Sequence, residues 1–463
     1  MTRKIIPLLL SSLLLTYGCK KETSDVKTES KQQISGNDDY HLFAKSFAKI
    51  IDNQEIKLLL KEKALEQFDG DYDVLVKTFV NSRLANNQTI LDLLIDDNSN
   101  IKTIIDNNPL LTIYVPELQI FNANNWDVKK TTPIVAVRNT DSNSEDVIAY
   151  DNANSIVTLQ KKIEPTIPTI LIKENERVSF INSNTVQLTT EKIKSKTSAI
   201  SSSRGEGSWR SVPPLAPRIQ EAINKNIPLS NIRDYVYYGI DPINNVTKGE
   251  LRSDYSEHII SIELTDKMVL DKIADWGEGN LEIKIMINIP QRNGSPLQIT
   301  KAIFCKKEDL YQAPTARTPG YMKPYRGFEP IPITPWDNYN LGNIWTFHAE
   351  EFDNGEERTD TKTVENSFAT ENSGSFAIEF AKIFKLGFSA KNTETTKVTS
   401  TVTIKSTNNS DNLYDALLNY LEPIAIKDTQ PVRGSFIYNP FYLNTGAIKI
   451  RVEPYPTGGI PST

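Results

Sequence analysis

Phe68-Asp69-Gly70-Asp71-Tyr72-Asp73 places three carboxylates at alternate positions. That is the opening of a calcium loop, in which acidic oxygens converge on a hard cation. The rest of such a loop is missing, because Val74 stands where glycine is needed and Val80 where a bidentate glutamate is needed. Asp69, Asp71 and Asp73 are therefore metal candidates beside a plainer alternative, a turn between helices whose aspartates cap the next one. His41, His258 and His348 are far apart and form no His-x-x-x-His pair, so the helical zinc-protease arrangement is absent. Glu257-His258 suggests an acid–base couple, but no nucleophile elbow of the Gly-x-Ser-x-Gly type accompanies it, and a surface histidine at a strand start is the simpler reading. Gly277-Glu278-Gly279 lacks the spacing of a phosphate loop and reads as a turn. No catalytic residue is assigned, and no cofactor is expected.

Aromatic side chains are the better binding candidates. Tyr321, Tyr325, Phe328, Trp336 and Tyr339 are spaced by Pro324, Pro330, Pro332 and Pro335, and Trp345 follows. Tyrosine and tryptophan faces stack on sugar rings and peptides, although packing onto a sheet is their commoner fate. Tyr321, Tyr325, Trp336, Tyr339 and Trp345 are the expected ligand contacts. A further segment, Ser375–Ser406, alternates Phe376, Ile378, Phe380, Phe384, Leu386 and Phe388 against small or polar residues, then Val398, Val402 and Ile404 against threonines. Two such runs of ~9–11 residues match the hairpin of a β-pore. They serve equally as two strands of a soluble sheet, and Phe376, Phe380, Ile383 and Phe384 also permit a short amphipathic helix.

These residues must be held by elements legible in the hydropathy pattern. From Tyr40 to Asn107 apolar residues recur every three or four, with Phe43, Phe47, Ile50 and Ile51 on one helix, Asp52 and Glu55 capping a second through Leu65, and further helices through Val74, Phe79, Leu84 and through Ile90, Leu93, Leu94. Beyond Pro109 the period falls to two, in Leu111–Val115, Ile134–Val137, Val147–Tyr150 and Thr169–Ile172. Residues 191–217 lose hydrophobicity and read as a linker. Leu281 to Ile289 alternates with polar residues, and Asn293-Gly294 then predicts a type I′ hairpin into Leu297–Cys305. Further strands are predicted at Tyr235–Tyr238, His258–Leu264, Ile344–Ala349, Val398–Lys405, Ser435–Tyr438 and Ala447–Val452. The fold class is α+β: a small helical bundle with a β unit over 40–190, then an antiparallel β-sandwich-like domain over 218–463.

With 52 basic against 58 acidic residues the chain is mildly acidic and carries no basic stripe, which argues against a nucleic-acid partner. Thr2-Arg3-Lys4 precedes an apolar run from Ile5 to Leu15 that is too short to span a bilayer and has the flanks of a signal peptide. Its end, Leu15-Thr16-Tyr17-Gly18-Cys19, resembles a bacterial lipobox, with Thr16 where leucine is usual. The resemblance implies removal of 1–18, lipidation of Cys19 and a solvated tether over 19–39. Only Cys305 then remains, inside a predicted strand, so the fold holds by core burial without an internal disulfide.

In layout the chain resembles a group of uncharacterised bacterial surface lipoproteins, through the loose lipobox, a helical stretch ending in Phe68 to Tyr72, strands like Leu111–Pro116 and Thr169–Glu174, and a β-rich C-terminal half. The group supplies no catalytic residues. The expected function is a protein held to the cell envelope, at the outer membrane or cell surface, by its lipid, binding a glycan or protein ligand. The alternatives are a pore-former using 375–404 and a hydrolase whose site forms only in the fold.

Overall fold

A computed structural model of the chain describes residues 36–138, 146–182, 185–188, 214–277, 279–353, 357–367, 397–407, 410–428 and 437–457. The leader, Cys19, most of the tether, most of the 191–217 linker and the apolar run Phe376–Phe388 lie outside them. Among the described residues no helix is long and apolar enough to cross a membrane.

Spacing of three and four puts Phe43 and Phe47 on one side of the helix Gly36–Ile50, with Ile51 just beyond, and all three are fully buried. The next helix, Gln54–Leu65, is capped by Asn53 rather than Asp52: Asn53 Oδ1 accepts from the Glu55 N–H at 2.9 Å. Asp52 instead accepts from Thr132 Oγ1 at 2.6 Å. The predicted helix through Val74, Phe79 and Leu84 gives way to a strand, Asp73–Leu75, and one helical turn, Val76–Phe79. Val74-Leu75-Val76 are three consecutive apolar residues, all buried, and no single helix face can hold three neighbours. Ile90–Asp97 starts at a capping box in which Thr89 and Asp92 each accept the other's backbone N–H.

These helices lie with one six-stranded sheet, ordered Asp73–Leu75, Leu111–Tyr114, Thr169–Glu174, Ile134–Val137, Asp146–Tyr150, Ile156–Gln160. Its pairs are antiparallel except Ile134–Val137 with Thr169–Glu174. Phe47, Trp126, Ile113 and Ile170 belong to its core, together with Trp276 from far along the chain.

The C-terminal half contains two four-stranded sheets. One runs Leu297–Cys305, Leu281–Ile289, Ile344–Glu351, Asp411–Asn419; the other runs Ile331–Pro332, Tyr255–Leu264, Ile448–Pro456, Leu443–Asn444. Both feed a single second core containing Ile283, Ile285, Ile287, Ile262 and Ile450. The molecule is thus mixed α+β with several antiparallel sheets, and Gly36–Thr463 forms one compact unit.

Two local expectations are corrected. Tyr235–Tyr238 is not a strand but the end of the helix Ile232–Tyr238, stopped by Gly239 at φ 66°. Every residue of that helix is buried, and tertiary burial outweighs the strand preference of Tyr and Val. The Leu281–Ile289/Leu297–Cys305 hairpin forms in the expected alternation, but pairing stops at Ile289↔Leu297 and Gly294 alone takes a positive φ, 88°, so the connection is a longer loop and not a two-residue type I′ turn.

Candidate ligand-binding cleft

Strand alternation sends Ile283, Ile285 and Ile287 into the core and Glu282, Lys284, Met286 and Asn288 to the opposite face. Register carries Thr300 and Gln298 onto that same face from one side, and Thr346, His348 and Glu350 from the other. A polar face is expected to meet water. Here Glu282, Asn288, Thr346, His348 and Glu350 are at most 4% exposed.

What covers them is a long hairpin, Glu357–Ser367 paired with Lys397–Thr407. Ile404 and Val364 cluster with Met286. Gln298 Nε2 donates to the Thr403 carbonyl at 3.2 Å, Ser406 Oγ donates to Glu350 Oε2, and Thr407 Oγ1 donates to the Asp353 carbonyl. Between hairpin and sheet lies a half-open cavity of about 460 Å³, lined by Lys284, Asn288, Gln298, Glu350, Lys405 and Ser406 among others.

The electrostatics of this face are set by its burial. Burial lowers the Lys284 pKa, opposed by Glu282 and Glu350, and raises that of Glu282, opposed by Lys284. Lys284 Nζ stands 3.6 Å from Glu282 Oε1 and over the Phe352 ring. Asn288 Oδ1 is buried and accepts no hydrogen bond.

Behind the cavity His348 Nδ1 is 2.6 Å from Asp415 Oδ1. Because a carboxylate only accepts, Nδ1 carries the proton and Nε2 is turned toward Glu350 Oε2, 3.8 Å away and beyond hydrogen-bond reach. A β-bulge directly follows the Asp415 contact. His348 pairs with Asp415 and Glu350 with Asn412, so the strand Asp411–Asn419 holds one extra residue there. Tyr414 absorbs it at φ 69°, a left-handed conformation that costs a non-glycine residue roughly 1–2 kcal/mol. Tyr414→Gly should therefore leave folding stability equal or raised by up to about 1 kcal/mol, read from the thermal unfolding midpoint; a loss of stability would mean that the exposed tyrosine ring, not its backbone, matters there.

The metal candidates are brought together, but with cations. Asp69, Asp71 and Asp73 are all at most 5% exposed. Arg177 Nη1 donates to Asp71 Oδ2 and its Nη2 to the Asn280 carbonyl at 2.6 Å. Lys173 Nζ lies 3.4 Å from Asp73 Oδ2, and Asn175 Nδ2 bridges Asp69 at 2.7 Å and Asp73 at 3.2 Å. Burial raises the Asp71 and Asp73 carboxyls, while Arg177 and Lys173 pull them down. No group of three His, Cys, Asp or Glu able to hold a metal ion occurs among the described residues. These aspartates instead anchor a buried ionic network joining the first core to the segment before Leu281.

The five aromatic candidates do not share a surface. Trp336 is 1% and Trp345 0% exposed. Trp336 stacks on Tyr420 at 3.8 Å between centroids and meets Trp345 edge-on at 6.3 Å. Tyr321, Tyr325 and Tyr339 are half-buried. The Tyr325 hydroxyl donates to the Phe304 carbonyl at 3.0 Å, and the Tyr339 ring faces the Arg292 guanidinium at 4.1 Å. Of the other early candidates, Cys305 is buried with its thiol pushed up by desolvation. His258 is 4% exposed rather than on the surface, and Glu257 pairs with Arg233 Nε at 3.0 Å rather than with its neighbour.

Sequence reasoning weighed His348 only as a zinc ligand and passed over Glu350, Ser406 and Asp415. One signal was present: Thr346-x-His348-x-Glu350 puts polar groups on one parity of a strand whose other parity is Trp345, Phe347 and Ala349. No family model matches the chain, and neither does any curated protein or solved structure.

Proposed function

We propose that the chain is a cell-envelope protein, tethered through a lipid on Cys19, that takes a small ligand in the cleft between the Glu357–Thr407 hairpin and the sheet beneath it. The observation that carries this reading is the cavity of about 460 Å³ on a face that is polar yet withdrawn from water. Its size is that of small-molecule sites, ~300–1,000 Å³, and its wall mixes a few polar groups with Met286, Ile287, Ile299 and Phe352. The two four-stranded sheets, which share one core, are on this reading the layers of a β-sandwich. The tether rests on the leader and its resemblance to surface lipoproteins; mass spectrometry of the exported protein should find Cys19 as an acylated N-terminus, and Met1 intact would refute it.

Of the segment 375–404 that the pore-forming alternative uses, the run Phe376–Phe388 lies outside the described residues, and the strand Lys397–Thr407 pairs with Glu357–Ser367 over eleven residue pairs. Against that alternative, Arg358 and Asp360 share a face with Ile404 and Ser406. With charged side chains beside Ile404 that face is mixed rather than uniformly apolar, which suits an arm packed on the sheet better than a lipid-facing membrane stave.

The cleft reading is tested with a small-molecule library screened by thermal shift against the full chain and Thr300→Trp. Thr300 is exposed at the cavity wall, so the indole fills the space without entering the core. Ligands that stabilise the parent should lose at least tenfold in affinity in the variant. Equal binding by both proteins would remove the ligand from the cleft.

A further inference from the structure

The cleft's chemistry narrows the ligand further, on the premise that the cleft is the binding site. Its charges come in opposed sets: Lys284 and Lys405 against Glu350 in the wall, with Glu282 3.6 Å from the Lys284 ammonium. With Lys284, Glu282, Glu350 and Lys405 set close together, a ligand of net charge meets a like charge in the cleft as well as an opposite one, and its desolvation is only partly offset. The site therefore selects against net charge.

It also demands groups that donate and accept within one small volume. Asn288 Oδ1 is 98% withdrawn from solvent with its residue and has no donor, and a buried acceptor left unpaired costs roughly 1–3 kcal/mol. Glu350 takes one hydrogen bond from Ser406 Oγ and has lone pairs to spare. The Lys284 ammonium and the Gln298 amide, in the same wall, are donors. A hydroxyl serves both kinds of partner through one atom, whereas an ammonium only donates and a carbonyl oxygen only accepts. Met286 and Phe352 add a short apolar strip that suits a C–H face.

We propose that the cleft binds a neutral carbohydrate of one or two rings, whose hydroxyl edge meets Asn288, Glu350 and Lys284 and whose C–H face lies on the apolar strip. A sugar ring has this division, polar at its rim and apolar on its faces. Asn288 is the specificity residue, because a bound hydroxyl supplies the hydrogen that its oxygen lacks.

The test is titration calorimetry of the full chain with neutral mono- and disaccharides, free amino acids and sugar phosphates. The same titrations are run on Asn288→Leu, Glu350→Gln, Lys405→Met and Thr300→Trp, each checked for the parent circular-dichroism spectrum. At least one neutral sugar should bind. Its affinity should fall tenfold or more in Asn288→Leu and in Thr300→Trp, and only a few-fold in Glu350→Gln, which still accepts a hydroxyl. Should Asn288→Leu fail to fold, Lys405→Met, altered only at an exposed wall residue, should weaken the sugar several-fold. Binding of amino acids or sugar phosphates alone, blocked by Thr300→Trp, would overturn the carbohydrate assignment and leave the cleft reading standing. Sugar binding indifferent to both Asn288→Leu and Lys405→Met would also overturn it. No ligand of any class sensitive to Thr300→Trp would overturn both.

Discussion

Replacing Trp336 with alanine should destabilise the C-terminal core by about 3–5 kcal/mol, the range for removing a fully buried large aromatic. The side chain is 1% exposed, stacks on Tyr420 with 11° between ring planes and abuts Trp345, whose indole N–H donates to the Gly342 carbonyl at 3.0 Å. Tyr420 would lose its stacking partner, and Arg233, held over the Tyr420 ring at 4.7 Å, would lose part of its packing as that ring shifts. Because the chain has two cores, unfolding need not be two-state. The loss should appear in the transition that near-ultraviolet circular dichroism assigns to the tryptophan cluster. A Trp336→Ala protein as stable as the parent would show that this indole is not the keystone of the core. The contrast with a ligand-contact role is direct: a contact residue changes affinity and leaves the unfolding midpoint nearly alone.

Arg177→Met should be similarly severe, about 3–5 kcal/mol, for an electrostatic reason. Removing the guanidinium leaves Asp71 buried without its ion pair and strips the Asn280 carbonyl of its donor. Lys173, 3.4 Å from Asp73, cannot serve both carboxylates at full strength. The network spans residues far apart in sequence, Asp71 to Arg177 to Asn280, with the guanidinium also over the Phe304 ring at 5.2 Å. Both cores should therefore lose stability in the single variant, as measured by thermal and denaturant unfolding. The double variant Arg177→Met/Asp71→Leu removes the orphaned charge with its partner and should recover most of the loss. A double variant as unstable as the single one would mean that packing around Arg177, not its charge, is what counts.

Much of the secondary structure could be read before any coordinates. The helix bearing Phe43 and Phe47, the helix through Ile90 and Leu94, and the strands at Leu111, Ile134, Thr169, Leu281 and Ile344 all follow from local periodicity. The misses also have local causes. Tyr235–Tyr238 carries strand-prone residues but is buried on every side as a helix, and Val74-Leu75-Val76 interrupts the three-four rhythm with a sheet edge. Asp52 and Asn53 are both good caps, and which one serves depends on Thr132 reaching Asp52 from 80 residues away.

The candidate site divides along the same line. Sequence alone determined that Glu282, Lys284, Met286 and Asn288 share a face opposite a row of isoleucines, since alternation is a property of a strand by itself. It likewise determined that Asp69, Asp71 and Asp73 lie at alternate positions, close together whatever their local conformation. Only the tertiary structure decided that the polar face is roofed by a hairpin beginning at Glu357, that Asp415 lies against His348 across 67 residues, and that Lys173 and Arg177 pair with Asp73 and Asp71. The physical reason is that burial and pairing depend on which distant segment occupies the opposite side, and neither composition nor spacing within one strand carries that information.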